Sequence, residues 1–431
     1  MQILFPTLAL TALSCWNVLV LPAYGQYLHE IDWVKRHLAT KSPYPVPDSA
    51  TTDAVIRGYT LEQLQLVVRH GRRYPSDGDT EDIGKVLKKL QQSNNRTALD
   101  WLDNYENVYT PERSGSLDEN GQLEQYLHGR RVAKRFPKLI DAIFDQDVPS
   151  GIDSASSESA RTLQSATAFH MGLFEGQGAL GRSKQFAVPS FMYPTQGDKL
   201  ISIDDNCPRW DLARENSNVQ SDLYGAQTQT VTAQRLSEAF GVYLTADDVE
   251  AIYSGCCFDV AHRNRPDTFC SLLSRQEILE AEYREDLSYF YKYSYGGLPL
   301  NGQVACALMQ SIMNHIENED TRLVLKVGHT QTVLFLQTFL GVSQNKQMLY
   351  ANSSQSVIDQ RVFRTSNIAT MASNVEFQLL SKGENRFVRV LVSEIPVLVP
   401  GCKGEEICPL QTFKEALSPK IKCDFDEVCQ G

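Results

Sequence analysis

The chain has 431 residues and a formal net charge of −11, with 42% hydrophobic and 22% charged residues. That is ordinary for a globular protein with a sizeable core. The acidic balance argues against a general nucleic-acid binder, which carries a basic face, yet leaves room for a local basic cleft that takes a small anion.

Residues 1–25 have the character of a signal peptide. Ile3 to Leu21 is mostly apolar, and Ala23-Tyr24-Gly25 places small residues before a cleavage point at Gln26, although a positive leading region is missing. No later segment is long and apolar enough to span a bilayer, so a secretory route without a stable membrane anchor is expected. Gln26 to Tyr59, with Pro43, Pro45 and Pro47, reads as an extended surface lead-in. A strand is expected over Gln63 to Arg69. A helix follows over Leu117 to Phe136, with Leu123, Tyr126 and Leu127 on one face and the basic run His128 to Arg135 solvated. A short strand (Ile152 to Ser156) leads into a helix ending near Leu173. Residues 201–300 carry short helical patterns and read as an inserted helical cap. Gly302 to Ile316 reads as a helix, Leu323 to Val327 as a strand and Thr330 to Leu340 as a helix. Val375 to Leu380 and Phe387 to Val392 alternate as a hairpin around Gly383.

The ten cysteines suit an oxidising compartment. Cys15 falls in the leader, and the nine others are an odd number, so at least one thiol stays free or pairs between chains. Two Cys-x5-Cys spacings make Cys402–Cys408 and Cys423–Cys429 the natural pairs by proximity. Asn95-Arg96-Thr97 and Asn352-Ser353-Ser354 are glycan acceptor sequences, which fits an extracellular surface.

Alternating strands and helices predict an α/β fold whose sheet is at least partly parallel. An α/β domain over 26–200 and 301–431 is expected around the cap at 201–300. In such sheets ligands bind beyond the carboxyl ends of strands, and His70 and His329 both fall at such ends.

The first of them stands in Arg69-His70-Gly71-Arg72-Arg73-Tyr74-Pro75. A histidine between arginines is a poor core element and a good phosphate site. Guanidinium groups stay charged and donate in a planar fork. Gly71 permits close backbone approach. A neutral imidazole can attack phosphorus and form a phosphohistidine. Each residue alone is more often a solvated charge; the joint pattern is what carries the reading.

This pattern resembles the signature of the histidine acid phosphatases. Ser157 to Ala166 is similar to that family's second arginine segment, which makes Arg161 a third phosphate ligand beside Arg69 and Arg73. Gly328-His329 is similar to the segment of its second histidine. Further stretches resemble one branch, the multiple inositol-polyphosphate phosphatases: Lys41 to Tyr44, Asp198 to Leu200, Cys256 to Asp259, Tyr291-Lys292 with Tyr295-Gly296, and the C-terminal Cys-x5-Cys. The resemblance implies a phosphoglycerate-mutase-like mixed sheet flanked by helices, with a helical cap. It implies His70 as nucleophile, a phosphohistidine intermediate, neither metal nor cofactor, and a small-molecule substrate such as phytate. A polyanion needs further cations, and Lys41, Arg72 and Lys199 are the candidates. One departure stands out. The family places a carboxyl just after its second histidine to protonate the leaving alkoxide; this chain reads His329-Thr330-Gln331-Thr332. Gln331 occupies the donor position without being an acid. Asp204-Asp205 is an alternative acid that nothing local in the sequence favours.

Overall fold

A computed structural model describes residues 27–48, 56–93, 95, 99–144, 151–178, 188–318 and 320–430. The expected leader lies outside them. So does most of the first glycan acceptor sequence, of which Asn95 alone is described.

Eight strands form one mixed sheet: β1 (Thr60–Arg69), β2 (Ile152–Ser157), β3 (Phe191–Tyr193), β4 (Leu323–Gly328), β5 (Asn374–Lys382), β6 (Asn385–Val392), β7 (Ile395–Val397) and β8 (Ile407–Pro409). Their order is β3-β2-β4-β1-β5-β6-β7, with β8 also paired to β6. The pairs β3-β2, β2-β4 and β4-β1 are parallel, whereas β1-β5 and β5-β6 are antiparallel. β1 is covered on both faces, as its run of buried residues from Leu64 to Arg69 requires. Leu64, Leu66 and Val68 pack with Val132, Phe169 and Leu325 on one side, and Val67 packs with Met309, Val333 and Phe377 on the other. Each such side chain contributes about 1.5–3 kcal/mol by leaving water. Gln63 and Gln65 are buried polar interruptions of that strand. Their amides donate to the carbonyls of His315 and Ile312, so both bind the strand to the helix above it.

The helices that place the site are α1 (Asp77–Gln91), α2 (Glu119–Arg135), α3 (Ala160–Leu173), α4 (Val219–Phe240), α5 (Ala246–Arg263), α6 (Arg275–Tyr293), α7 (Cys306–Glu317) and α8 (Thr330–Leu340). Ser76, Thr245 and Ser274 begin α1, α5 and α6 with reciprocal capping boxes. None of the helices among the described residues is long and apolar enough to cross a membrane.

Four sequence-based expectations change. The lead-in is not simply an extended surface segment: it contains a helical turn at Ile31–Lys35, buries Leu38, Ala39 and Thr40, and reaches the site described below. In α2 the face carrying Leu123 and Leu127 is exposed, and Gln125, His128, Gly129 and Val132 face inward. The basic run of that helix is therefore solvated only in part: Arg130 and Lys134 are exposed, whereas Arg131 and Arg135 turn inward. Arg131 pairs with the buried Glu394 at 2.7 Å, and Arg135 reaches Glu376 at 3.1 Å, because α2 packs its polar stripe over carboxylates of β5 and the turn after β6. Among the bridges, Cys402–Cys408 forms as expected. Cys423 and Cys429 do not join. The chain between them turns into the helix Phe425–Gln430, and they pair instead with Cys306 and Cys207. Cys256–Cys270 closes the set, and Cys257 is a buried free thiol.

Candidate active site

The strand register brings the site together. Arg69 on β1 lies opposite Gly328 on β4, and Val327 lies opposite Ser156 on β2. The residues just beyond those three carboxyl ends are His70, His329 and the start of α3 with Arg161. A cavity of about 380 Å³ opens there, bordered by Arg69, His70, Arg73, Arg161, His329 and Gln331.

His70 is held by its backbone and ring. Its N–H donates to the Gly328 carbonyl at 3.0 Å. Its Nδ1 lies 2.8 Å from the carbonyl of Gly71, and a carbonyl only accepts, so Nδ1 carries the proton and Nε2 keeps its lone pair. Burial, then Arg69, His329, Arg161 and Arg73, hold the imidazole well below its ordinary pKa, which keeps it neutral. Gly71 lets the loop sit directly on α2: a Cβ there would lie 2.1 Å from the Gly121 carbonyl oxygen. Gly71→Ala must therefore displace the backbone beside His70. An activity loss of about 10²-fold is expected, since a 1 Å misplacement of a reacting group costs that much. Measuring kcat beside the urea midpoint separates misplacement from unfolding.

The arginines differ in how they are held. One Arg69 nitrogen donates to the carbonyls of Thr40 and Ala369 at 2.5 and 2.8 Å, while its Nε is buried without a protein acceptor. Arg161 also has a buried, unpartnered Nε. Burial brings both guanidinium groups down to about 10, so they remain charged. A phosphoryl group would supply the missing acceptors. Arg73 donates to the Tyr74 carbonyl at 2.8 Å. His329 lies edge-on to His70, with ring centroids 5.5 Å apart. Its Nδ1 accepts from Arg161 at 3.4 Å, so its Nε2–H donates to Ser157 Oγ at 2.9 Å. Burial and the same arginines lower it to about 3. His329 also caps α8, so that helix begins at the cavity, a position that favours an anion.

The weaker candidates part ways. Lys41 borders the cavity, paired with Glu285 at 2.7 Å. Arg72 is turned to Glu124 at 2.8 Å and to the Ala261 carbonyl, away from the cavity. Lys199 pairs with Asp426 and borders a different hollow with His315. Sequence reasoning missed Thr40, Asp79 and Tyr289, which also border the cavity. Asp79 had a legible signal, the Ser76-x-x-Asp79 capping box; Tyr289 had none.

A family model described as the histidine phosphatase superfamily (branch 2) matches residues 60–393. The chain is 26% identical to multiple inositol polyphosphate phosphatase 1 of Dictyostelium discoideum, over 84% of this chain and 66% of that protein, just under two thirds of its length. It is 26% identical to the Gallus gallus protein of the same name, covering 92% and 90%. It is equally 26% identical to a thiamine-repressible acid phosphatase of Schizosaccharomyces pombe, covering 93% and 92%. Among solved structures, it superposes on a phytase from D. castellii with a TM-score of 0.78 at 20% identity, covering 92% and 88% of the two chains. On the Bifidobacterium longum multiple inositol polyphosphate phosphatase with inositol hexasulfate, the TM-score is 0.72 at 15% identity, covering 90% and 98%.

Proposed function

The chain belongs to the histidine phosphatase superfamily, branch 2, and from that premise we propose that it is a secreted phosphoric monoester hydrolase acting on inositol polyphosphates through a phosphohistidine. One observation supports this most: a neutral histidine with a free Nε2 shares a cavity with three arginines and a second histidine. His70 attacks phosphorus in line. Arg69, Arg73 and Arg161 stabilise the equatorial oxygens, with His329 held between Ser157 and Arg161 at the cavity wall, and this is most of what phosphoryl transfer asks of a protein. The helical stretch 201–300 acts as the cap over this pocket. The names of the relatives favour inositol phosphates as the substrate class. Four disulfides favour an oxidising compartment. Phosphate release from phytate, with trapping of the phosphoenzyme, tests the reading; absence of both overturns it.

A second reading is a phosphate-binding protein with negligible turnover. It rests on the missing carboxyl at Thr330 and Gln331. Saturable binding of inositol hexakisphosphate with no phosphate release would establish it.

Charge in the adjoining cleft of about 620 Å³ bears on the number of phosphates. Seven carboxylates and five cations border it. Four of the cations are paired: Lys41 with Glu285, Lys85 with Asp82, Lys89 with Asp248 and Arg284 with Glu250. One phosphoryl group is drawn to the arginines, while phosphates left in the cleft meet a balance of negative charge. Salt screens that repulsion. Raising ionic strength from about 0.01 to about 0.15 M is therefore expected to increase kcat/KM for inositol hexakisphosphate relative to inositol monophosphate. Paired initial-rate measurements check the ratio.

A further inference from the structure

Segment 329–332 supplies no carboxyl, but the wall beside it does. Gln331 borders the His70 cavity and donates from Nε2 to Asp204 Oδ2 at 3.0 Å. Asp205, the next residue, borders the same cavity. Both stand on the helical turn Asp204–Asn206. That turn is fixed from two sides: the Asn206 amide donates to the carbonyls of Thr195, Asp198 and Ser202, and Cys207 is bonded to Cys429. The other Asp204 oxygen, Oδ1, is buried and has no protein partner.

We propose that the Asp204–Asp205 carboxyl pair, held to the cavity wall by Gln331, is the proton donor to the leaving alkoxide. This rests on the phosphatase reading above. Gln331 then does not replace the family's acid; it orients one that comes from another part of the chain.

The electrostatics agree. Burial, reinforced by Asp205, pushes the Asp204 carboxyl up to about 6, against its own turn's backbone, Gln331 and Arg214. Tyr293 of α6 also faces this carboxyl, and Arg161, Tyr289 and His329 border the cavity beside it. Asp204 therefore holds the transferable proton, and Asp205 stands between it and the cavity. Asp79, the other carboxylate on the cavity, cannot take this role. Burial works to raise it, but Lys41, Ser76 and Arg73 outweigh burial and keep it ionised.

In the first step His70 Nε2 forms a bond to phosphorus as the P–O ester bond breaks. The leaving oxygen takes the proton of the pair and departs as the alcohol. In the second step the pair, having given up that proton, accepts one from water as the water oxygen bonds to phosphorus. The P–N bond breaks, and phosphate and neutral His70 are released.

The test compares an alkyl ester (glycerol 2-phosphate) with an aryl ester (p-nitrophenyl phosphate), whose leaving group needs little protonation. The enzymes are wild type, Asp204→Asn, Asp205→Asn and the double variant. Alkyl turnover is expected to fall about 10²-fold or more in the double variant, the usual contribution of a general acid, and at least tenfold further than aryl turnover. Aryl turnover doubles as the check on folding. In wild type the alkyl-to-aryl ratio should decline as pH rises through about 6, and this decline should vanish in the double variant. Adding Gln331→Glu to the double variant should restore alkyl turnover. An unchanged alkyl-to-aryl ratio in the double variant overturns the proposal. So does a wild type active on the aryl ester alone, which leaves the phosphatase reading standing. A wild type inactive on both esters overturns both.

Discussion

Replacing His70 with alanine is expected to reduce phosphate release by about 10⁴-fold or more, the scale on which loss of a covalent nucleophile acts. The side chain is committed to this role by its surroundings. Nδ1–H is spent on the Gly71 carbonyl, which fixes the ring and aims the tautomer choice at a free Nε2. The depressed pKa, caused by burial and then by the neighbouring cations, keeps that nitrogen unprotonated well below the ordinary histidine range. Acidification therefore does not quench the nucleophile until pH falls far below about 6.5. The alanine variant should retain the arginines and so still bind inorganic phosphate. Isothermal titration with phosphate, alongside turnover, distinguishes a lost nucleophile from a collapsed pocket. Turnover within tenfold of wild type would falsify the assignment of His70.

The largest expected effect on stability lies away from the cavity. Arg361 is buried and bonds Asp286 at 2.6 Å and Glu282 at 3.2 Å, both fully buried on α6. Asp286 also accepts from the backbone N–H and hydroxyl of Thr365, and Glu282 from Ser366 and His37. Arg361→Ala strips Asp286 of its cation and leaves Glu282 to the more distant Arg364 at 3.9 Å, which costs about 3–5 kcal/mol. Against a total of roughly 5–15 kcal/mol that is a large fraction. A urea midpoint shifted with unchanged slope is the expected reading. The deficit should shrink in acid. Removing the cation raises the folded-state pKa of the carboxyls, so the penalty is present at neutral pH and is lost as pH falls through those values. Activity should fall as well, because α6 also carries Glu285, the partner of Lys41, and Tyr289 at the cavity.

What was legible in the sequence was local. Arg69 to Pro75 is contiguous, and its chemistry is written in seven neighbouring residues. His329 was legible because an apolar strand pattern ends beside it. The β5–β6 hairpin was legible from alternation and one glycine. What was not legible depends on partners far along the chain. Lys41 looked like a free cation until Glu285, 244 residues away, proved to hold it. Gln331 looked like a lost acid until Asp204, 127 residues away, appeared against its amide. Cys423 and Cys429 looked like neighbours, and the helix between them turned each to a different partner. The polar stripe of α2 defeated periodicity because ion pairs, which hydropathy does not see, paid for its burial.

The two long bridges have a consequence for cleavage of the chain. Cys306–Cys423 lies entirely inside the circuit closed by Cys207–Cys429, whose ends are 222 residues apart. A protease that cuts the backbone once between those outer cysteines, for instance in the exposed turns between α4 and α6, produces no separate fragment. The piece bearing His329 stays covalently attached to the piece bearing His70. Nicked protein should therefore run as one species on a non-reducing gel and as two after reduction, and digestion can open the helical region while both histidines remain on one molecule.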